Sequence, residues 1–110
     1  MNSPTNLEIT RHEDERRVLI EWVKDFPMTS LKVVISKGVE IGKHYHNNKD
    51  EVFYLLKGNG HKTIDGQVTE FTEGSLVFIP RGITHAFTLD KGSILLGAAN
   101  RPFDKDDEII

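Results

Sequence analysis

Turn signals recur so often along this chain that no long element fits between them. Lys37-Gly38, Lys57-Gly58-Asn59-Gly60, Asp65-Gly66, Glu73-Gly74, Pro80-Arg81-Gly82 and Asp90-Lys91-Gly92 separate short runs rich in β-branched and apolar residues. Those runs are 17–23, 30–36, 51–57, 60–65, 67–71, 75–79, 84–89 and 93–99. Short strands at regular spacing between Gly- and Pro-bearing turns predict an all-β sandwich or barrel. No stretch sustains a 3.6-residue apolar period between capping residues, so long helices are not expected. Asp65-Gly66 suits the two positive-φ positions of a type I′ turn and predicts a tight hairpin.

At 110 residues the chain has room for one core and no second domain. A flexible N-terminal segment (1–15), a barrel (16–100) and a C-terminal tail (101–110) are expected. With 14 basic and 17 acidic residues the net charge is −3, which offers no basic stripe for nucleic acid. Cysteine is absent, so neither disulfides nor thiolate ligands are available. The first six residues lack the basic and apolar parts of a secretory signal. The apolar run 94–99 is too short to span a bilayer. A cytoplasmic protein with no nucleic-acid and no membrane partner is therefore expected.

His44 and His46 flank Tyr45 in an extended stretch. Side chains alternate along a strand, so the two imidazoles share one face, while Lys43 and Tyr45 point away. Asn47-Asn48-Lys49-Asp50 reads as a polar hairpin loop, and Glu51 opens the returning strand. A simple hairpin would make His46 and Glu51 cross-strand neighbours with Cβ atoms roughly 5 Å apart. His85 follows the Pro80-Arg81-Gly82 turn at the start of a strand, a position that suits a barrel mouth. Three neutral imidazoles and one carboxylate would give a divalent ion four ligands and leave an octahedral ion two open positions.

The spacing of these residues carries a family resemblance. Gly38, His44, His46, Glu51 and Gly58 reproduce the first cupin motif, and Gly74, Pro80, Gly82 and His85 most of the second. Leu89 stands where the second motif has Asn, a position that is not a ligand. Over residues 38–89 the chain thus resembles a small single-domain cupin. The resemblance implies a double-stranded β-helix, or jelly-roll, barrel. It also implies one divalent ion (Mn, Fe, Ni or Zn) held by His44, His46, Glu51 and His85, and a small-molecule ligand or substrate. Small cupins pair as homodimers through N-terminal strands, and exposed sheet edges need covering. The resemblance therefore points to residues 17–23 as the interface, with Trp22 in packing or subunit contact.

Around the site, Phe53, Leu55 and Phe87 share the parity of the ligands on their own strands and are expected to form an apolar pocket wall. Phe78 joins them from a neighbouring strand. Arg81 and His61 are candidate substrate contacts, Arg81 through a charge-assisted bond to an anion. His12 and the acidic run 104–108 read as solvated surface. Three functions remain open: a metal-dependent dioxygenase or isomerase of a small oxygenated metabolite, a sugar-nucleotide ketoisomerase-like cupin, or a non-catalytic binding module. The second rests on similarity of residues 95–109 and of Gly42, His44 and His46 to ketoisomerase-type cupins. Ile41 and Glu51 depart from the Arg and Gln of that pattern.

Overall fold

The computed structural model of the chain describes residues 10–23 and 30–110, the side chains of Trp22 and Val23 excepted. Its strands are β1 (Thr10–Glu13), β2 (Arg17–Val23), β3 (Ser30–Ser36), β4 (Ile41–His44) and β5 (Glu51–Lys57). They continue with β6 (Asn59–Ile64), β7 (Gln67–Thr72), β8 (Leu76–Ile79), β9 (His85–Leu89) and β10 (Ile94–Ala99). A 3-10 turn, Lys105–Asp107, follows. Each of the eight predicted runs becomes a strand whose ends move by one residue at most.

Strands β1-β2-β3-β10-β5-β8 form one antiparallel sheet and β4-β9-β6-β7 the other. From β3 onward the chain crosses repeatedly between the sheets, which is the expected jelly-roll weave. At the β6–β7 turn Asp65 and Gly66 take φ of 51° and 79°, as a type I′ hairpin needs. Leu19, Val34, Phe53, Leu55, Ile79 and Leu95 of the larger sheet pack against Ile41, Phe71, Phe87 and Leu89 of the smaller. Burying each large side chain contributes roughly 1.5–3 kcal/mol before chain entropy is set against it.

The larger sheet is apolar on both faces. Along β3 the inward set is Ser30, Lys32, Val34 and Ser36, whereas Leu31, Val33 and Ile35 point outward. The register aligns Ile20, Val33, Leu96, Tyr54 and Leu76 across five strands, and Leu31, Ala98, Val52 and Phe78 beside them. Leu76 and Phe78 are the most exposed of these, at 67% and 61%. The expectation that Phe78 lines the pocket is therefore wrong: β8 runs Leu76 and Phe78 outward and turns Ile79 into the core.

Two other expectations change. Residues 10–13, assigned to a flexible segment, pair with β2 as β1, while residues 1–9 lie outside the described residues. That pairing places β2 inside the sheet, whose edges are β1 and β8. The exposed-edge argument for an interface at Arg17–Val23 thereby loses its basis, and the Trp22 side chain lies outside the described residues. No helix among the described residues is long and apolar enough to cross a membrane.

Candidate metal centre

β4 reaches the site through a bulge. Its ladder with β9 pairs Gly42 with Ala86 and His44 with His85, leaving Lys43 as the extra residue at φ 69°. The bulge lets Ile41 and His44, three residues apart, both face inward while Lys43 stays exposed. His44 and His85 are thus direct cross-strand neighbours, with ring centroids 4.9 Å apart. His46 lies two residues beyond His44, its ring 4.7 Å from that of His44 and 5.4 Å from that of His85. All three imidazoles are buried, and their ligand atoms lie within 4.8 Å of one another.

Glu51 joins them by a different route from the one predicted. β4 belongs to the four-stranded sheet and β5 to the six-stranded one, so residues 47–50 are a crossing between sheets rather than a hairpin loop. His46 and Glu51 are consequently not a cross-strand pair; they meet across the barrel interior. Glu51 Oε1 lies 2.9 Å from His46 Nε2 and 3.4 Å from His85 Nε2.

The outer ring nitrogens decide what those contacts are. His46 Nδ1 donates to the carbonyl of Asp107 at 2.8 Å, and His85 Nδ1 donates to the carbonyl of Ile83 at 3.0 Å. These partners place a proton on each Nδ1, so in the neutral ring the lone pair lies on Nε2. His46 Nε2 and Glu51 Oε1 are both buried without a hydrogen-bonding partner, although 2.9 Å separates them. Two acceptors facing each other in a buried space repel unless a cation or a proton lies between them. A nitrogen-rich set with one carboxylate is the donor chemistry of Mn, Fe, Ni and Zn sites, so the residues present fit a divalent metal. The free space is ≈ 20 Å³, on a scale where one water needs about 10–15 Å³.

Further charged side chains close around this centre. Lys32 Nζ donates to Glu51 Oε2 at 2.6 Å and sits 5.3 Å from the Phe53 ring. Gly97 makes that possible: a Cβ there would meet Lys32 Cε at 2.7 Å. Burial opposes ionisation of Glu51, and the Lys32 charge together with the neighbouring His46 and His85 overrides it, holding the carboxyl well below its usual 4.5. Burial, followed by the neighbouring His85 and His46, pushes the His44 imidazole down to about 3. Lys49, 2% exposed, has its ammonium 5.9 Å from the Phe103 ring, and burial pushes that amine down.

The C-terminal segment straps onto the same end of the barrel. Asp107 is buried, and its carboxylate accepts from the Asn47 and Asn48 amides at 3.0 and 3.3 Å while its carbonyl orients His46. The Phe103 amide donates to buried Glu21 at 2.5 Å, and Tyr45 pairs with Ile109 through two 2.9 Å backbone bonds. Glu108 reaches to 3.6 Å from Arg17. The solvated-tail expectation for 104–108 thus fails at Asp107 and Glu108, whose neighbours in sequence gave no sign of burial.

Among the expected pocket residues, Phe53 and Phe87 line the cavity, whereas Leu55 lies in the core at 0% exposure. Arg81 is exposed and clamps Asp50, donating at 3.2 and 3.0 Å to its two oxygens. His61 is exposed on β6 and lines a separate surface hollow with Lys37, Glu70 and Lys91. Neither lines the cavity at the histidines. Arg17, Lys32 and Glu108 line it instead.

The His44 environment sets a pH dependence. Its folded value of about 3 lies below the ordinary 6.5, so protonation favours the unfolded chain. Stability of the chelator-treated protein is expected to fall as pH drops below about 6.5, with Glu51 adding a further loss below about 4.5. His44→Leu should flatten the upper part of that decline in thermal melts; equal slopes in both proteins would show that His44 is not held neutral.

Residues 31–95 match the family described as Cupin domain. An uncharacterised protein of Aquifex aeolicus is 32% identical over 93 residues, covering 82% of this chain and 76% of the relative. Quercetin 2,3-dioxygenase of Bacillus subtilis is 35% identical over 54 residues, 49% of this chain but only 16% of that enzyme. The capsular polysaccharide assembling protein CapF of Staphylococcus aureus superposes with a TM-score of 0.77 at 26% identity, over 94% of this chain and 31% of its own. This chain therefore spans about a third of CapF. With the matched segment running from β3 into β10 and carrying all four site residues, the chain belongs to the cupin family.

Proposed function

We propose that His44, His46, His85 and Glu51 hold one divalent ion, with Mn, Fe, Ni and Zn as the candidates, and that the chain binds or acts on a small oxygenated metabolite there. The observation that carries this reading is the 2.9 Å approach of His46 Nε2 and Glu51 Oε1, both buried and neither with a hydrogen-bonding partner. A bound ion would supply Lewis acidity toward a ligand oxygen. The protein's own part is to orient the His46 and His85 imidazoles through their Nδ1 bonds and keep Glu51 ionised through Lys32. Phe53, Phe87, Val34 and Leu95 limit access of water. Likeness to part of a quercetin dioxygenase supports an oxygen-bearing ligand.

A ketoisomerase-like role has less support. His46 Nδ1 is committed to the Asp107 carbonyl, and Ile41, where that pattern has Arg, is core at 4% exposure. Elemental analysis of the purified protein tests the metal reading. About one equivalent is expected in the wild type and near-background metal in His46→Ala and Glu51→Ala, because each removes a ligand of a small buried site. Undiminished metal in either variant would refute the four-ligand set.

We also propose that the outer face of the larger sheet joins two copies as a homodimer. Its apolar rows, from Ile20 to Leu76 and from Leu31 to Phe78, form a contiguous patch of the kind that marks interfaces. Light scattering after size exclusion should give twice the chain mass for the wild type and the chain mass for Leu96→Lys. A monomeric wild type would refute this assignment.

A further inference from the structure

The cavity beside the histidines is lined by two cationic side chains, Arg17 and Lys32, and by two carboxylates, Glu51 and Glu108. Their charges cancel, so a divalent ion would add two uncompensated positive charges to a buried space, where each is costly to leave unpaired. The two ion pairs are unequal. Lys32 and Glu51 are bound at 2.6 Å, whereas Arg17 and Glu108 meet only at 3.6 Å. A formed guanidinium–carboxylate bond would be about 2.7–2.9 Å.

Arg17 offers five guanidinium donors. Among the described residues, its side chain otherwise meets the Phe103 ring, 5.8 Å from the centroid. It is 11% exposed, so those donors sit in a largely water-excluded place. Glu108, by contrast, comes from the strap outside the sheets, directly after the 3-10 turn, at 20% exposure. Space at the centre suffices for a water-sized species only, so a larger ligand can enter only if a lining group moves. The weakly held Glu108 carboxylate is the lining group best placed to do so.

We infer that Arg17 and the metal centre together form a subsite for the carboxylate of a small organic acid, and that Glu108 is the internal carboxylate that such a ligand displaces. This rests on the metal reading above and adds the substrate class to it. Ligand binding exchanges one carboxylate for another at Arg17, while the ligand's negative charge and oxygen donors offset the charge of the ion. Lys32 stays with Glu51, and its amine faces the same cavity. No bond is made or broken in the protein; only the Arg17–Glu108 contact opens.

The test uses full-length protein loaded with Mn²⁺, read by water-proton relaxation and by calorimetric titration. Pyruvate is the probe, methyl pyruvate its neutral counterpart and inorganic phosphate the competing oxyanion. Wild-type protein is expected to bind pyruvate in preference to the ester and to phosphate. Arg17→Gln should weaken pyruvate about tenfold or more, the scale of losing a charge-assisted hydrogen-bonding partner, and leave the ester unchanged. Glu108→Gln should strengthen pyruvate binding several-fold by removing the internal competitor. It lies outside the sheets and decides the matter alone if Arg17→Gln fails to fold. Equal pyruvate affinity in wild type and Arg17→Gln, weaker binding in Glu108→Gln, or a preference for phosphate would each overturn the inference. Failure of wild-type protein to retain any of Mn²⁺, Fe²⁺, Ni²⁺ and Zn²⁺ would overturn the metal reading and the inference with it, whereas retained metal with no pyruvate response overturns the inference alone.

Discussion

Glu51 sits at the junction of everything that makes this barrel more than a packed sandwich. One of its oxygens is held by Lys32 at 2.6 Å, and the other faces the lone pair of His46 at 2.9 Å. A buried carboxylate is tolerated only when charge and hydrogen bonding compensate its desolvation. Lys32 does half of that. The other half is supplied by whatever sits between Oε1 and the imidazoles, and a cation satisfies all four ligand atoms at once. With His46 neutral the arrangement is thus unfavourable as bare protein and favourable as a ligand cage, which is the sense in which structure implies function here.

Positioning the cage takes both sheets and the C-terminal segment. The smaller sheet brings His44 and His85 opposite each other, and the larger brings Glu51 and Lys32. Asp107 then fixes His46 and the crossing segment with its carbonyl and carboxylate together. Removing the last residues would free His46 Nδ1 and open the cavity that Glu108 now borders. The strap is therefore part of the site, and its hold on Arg17 is looser than its hold on Asn47, Asn48 and Tyr45.

Much of this was legible in the sequence, for identifiable reasons. Turn chemistry is local, so Asp65-Gly66 and the glycine-bearing breaks located eight of the ten strands to within a residue. The side-by-side placement of His44 and His46 also followed from alternation. What failed depended on which face of a two-sided apolar strand turns inward. Phe78 and Leu76 are more hydrophobic than many core residues, yet they face out, and Lys32 faces in because Gly97 leaves room for it. The supposed hairpin at residues 47–50 failed because a short polar loop looks the same whether it returns within a sheet or crosses to another. Arg17, Asp107 and Glu108 carry no local pattern at all. Their roles come from contacts separated by 59 residues or more, as between Asp107 and Asn48.

The central claim is that one cation belongs between the three imidazoles and Glu51. Anomalous diffraction at the absorption edge of the metal that co-purifies with the protein tests it most directly. The account predicts a single peak at bonding distance, about 2.0–2.3 Å, from His46 Nε2, His85 Nε2, Glu51 Oε1 and a ring nitrogen of His44. A peak elsewhere on the molecule, or a metal-free map in which a water bridges His46 and Glu51, would contradict it.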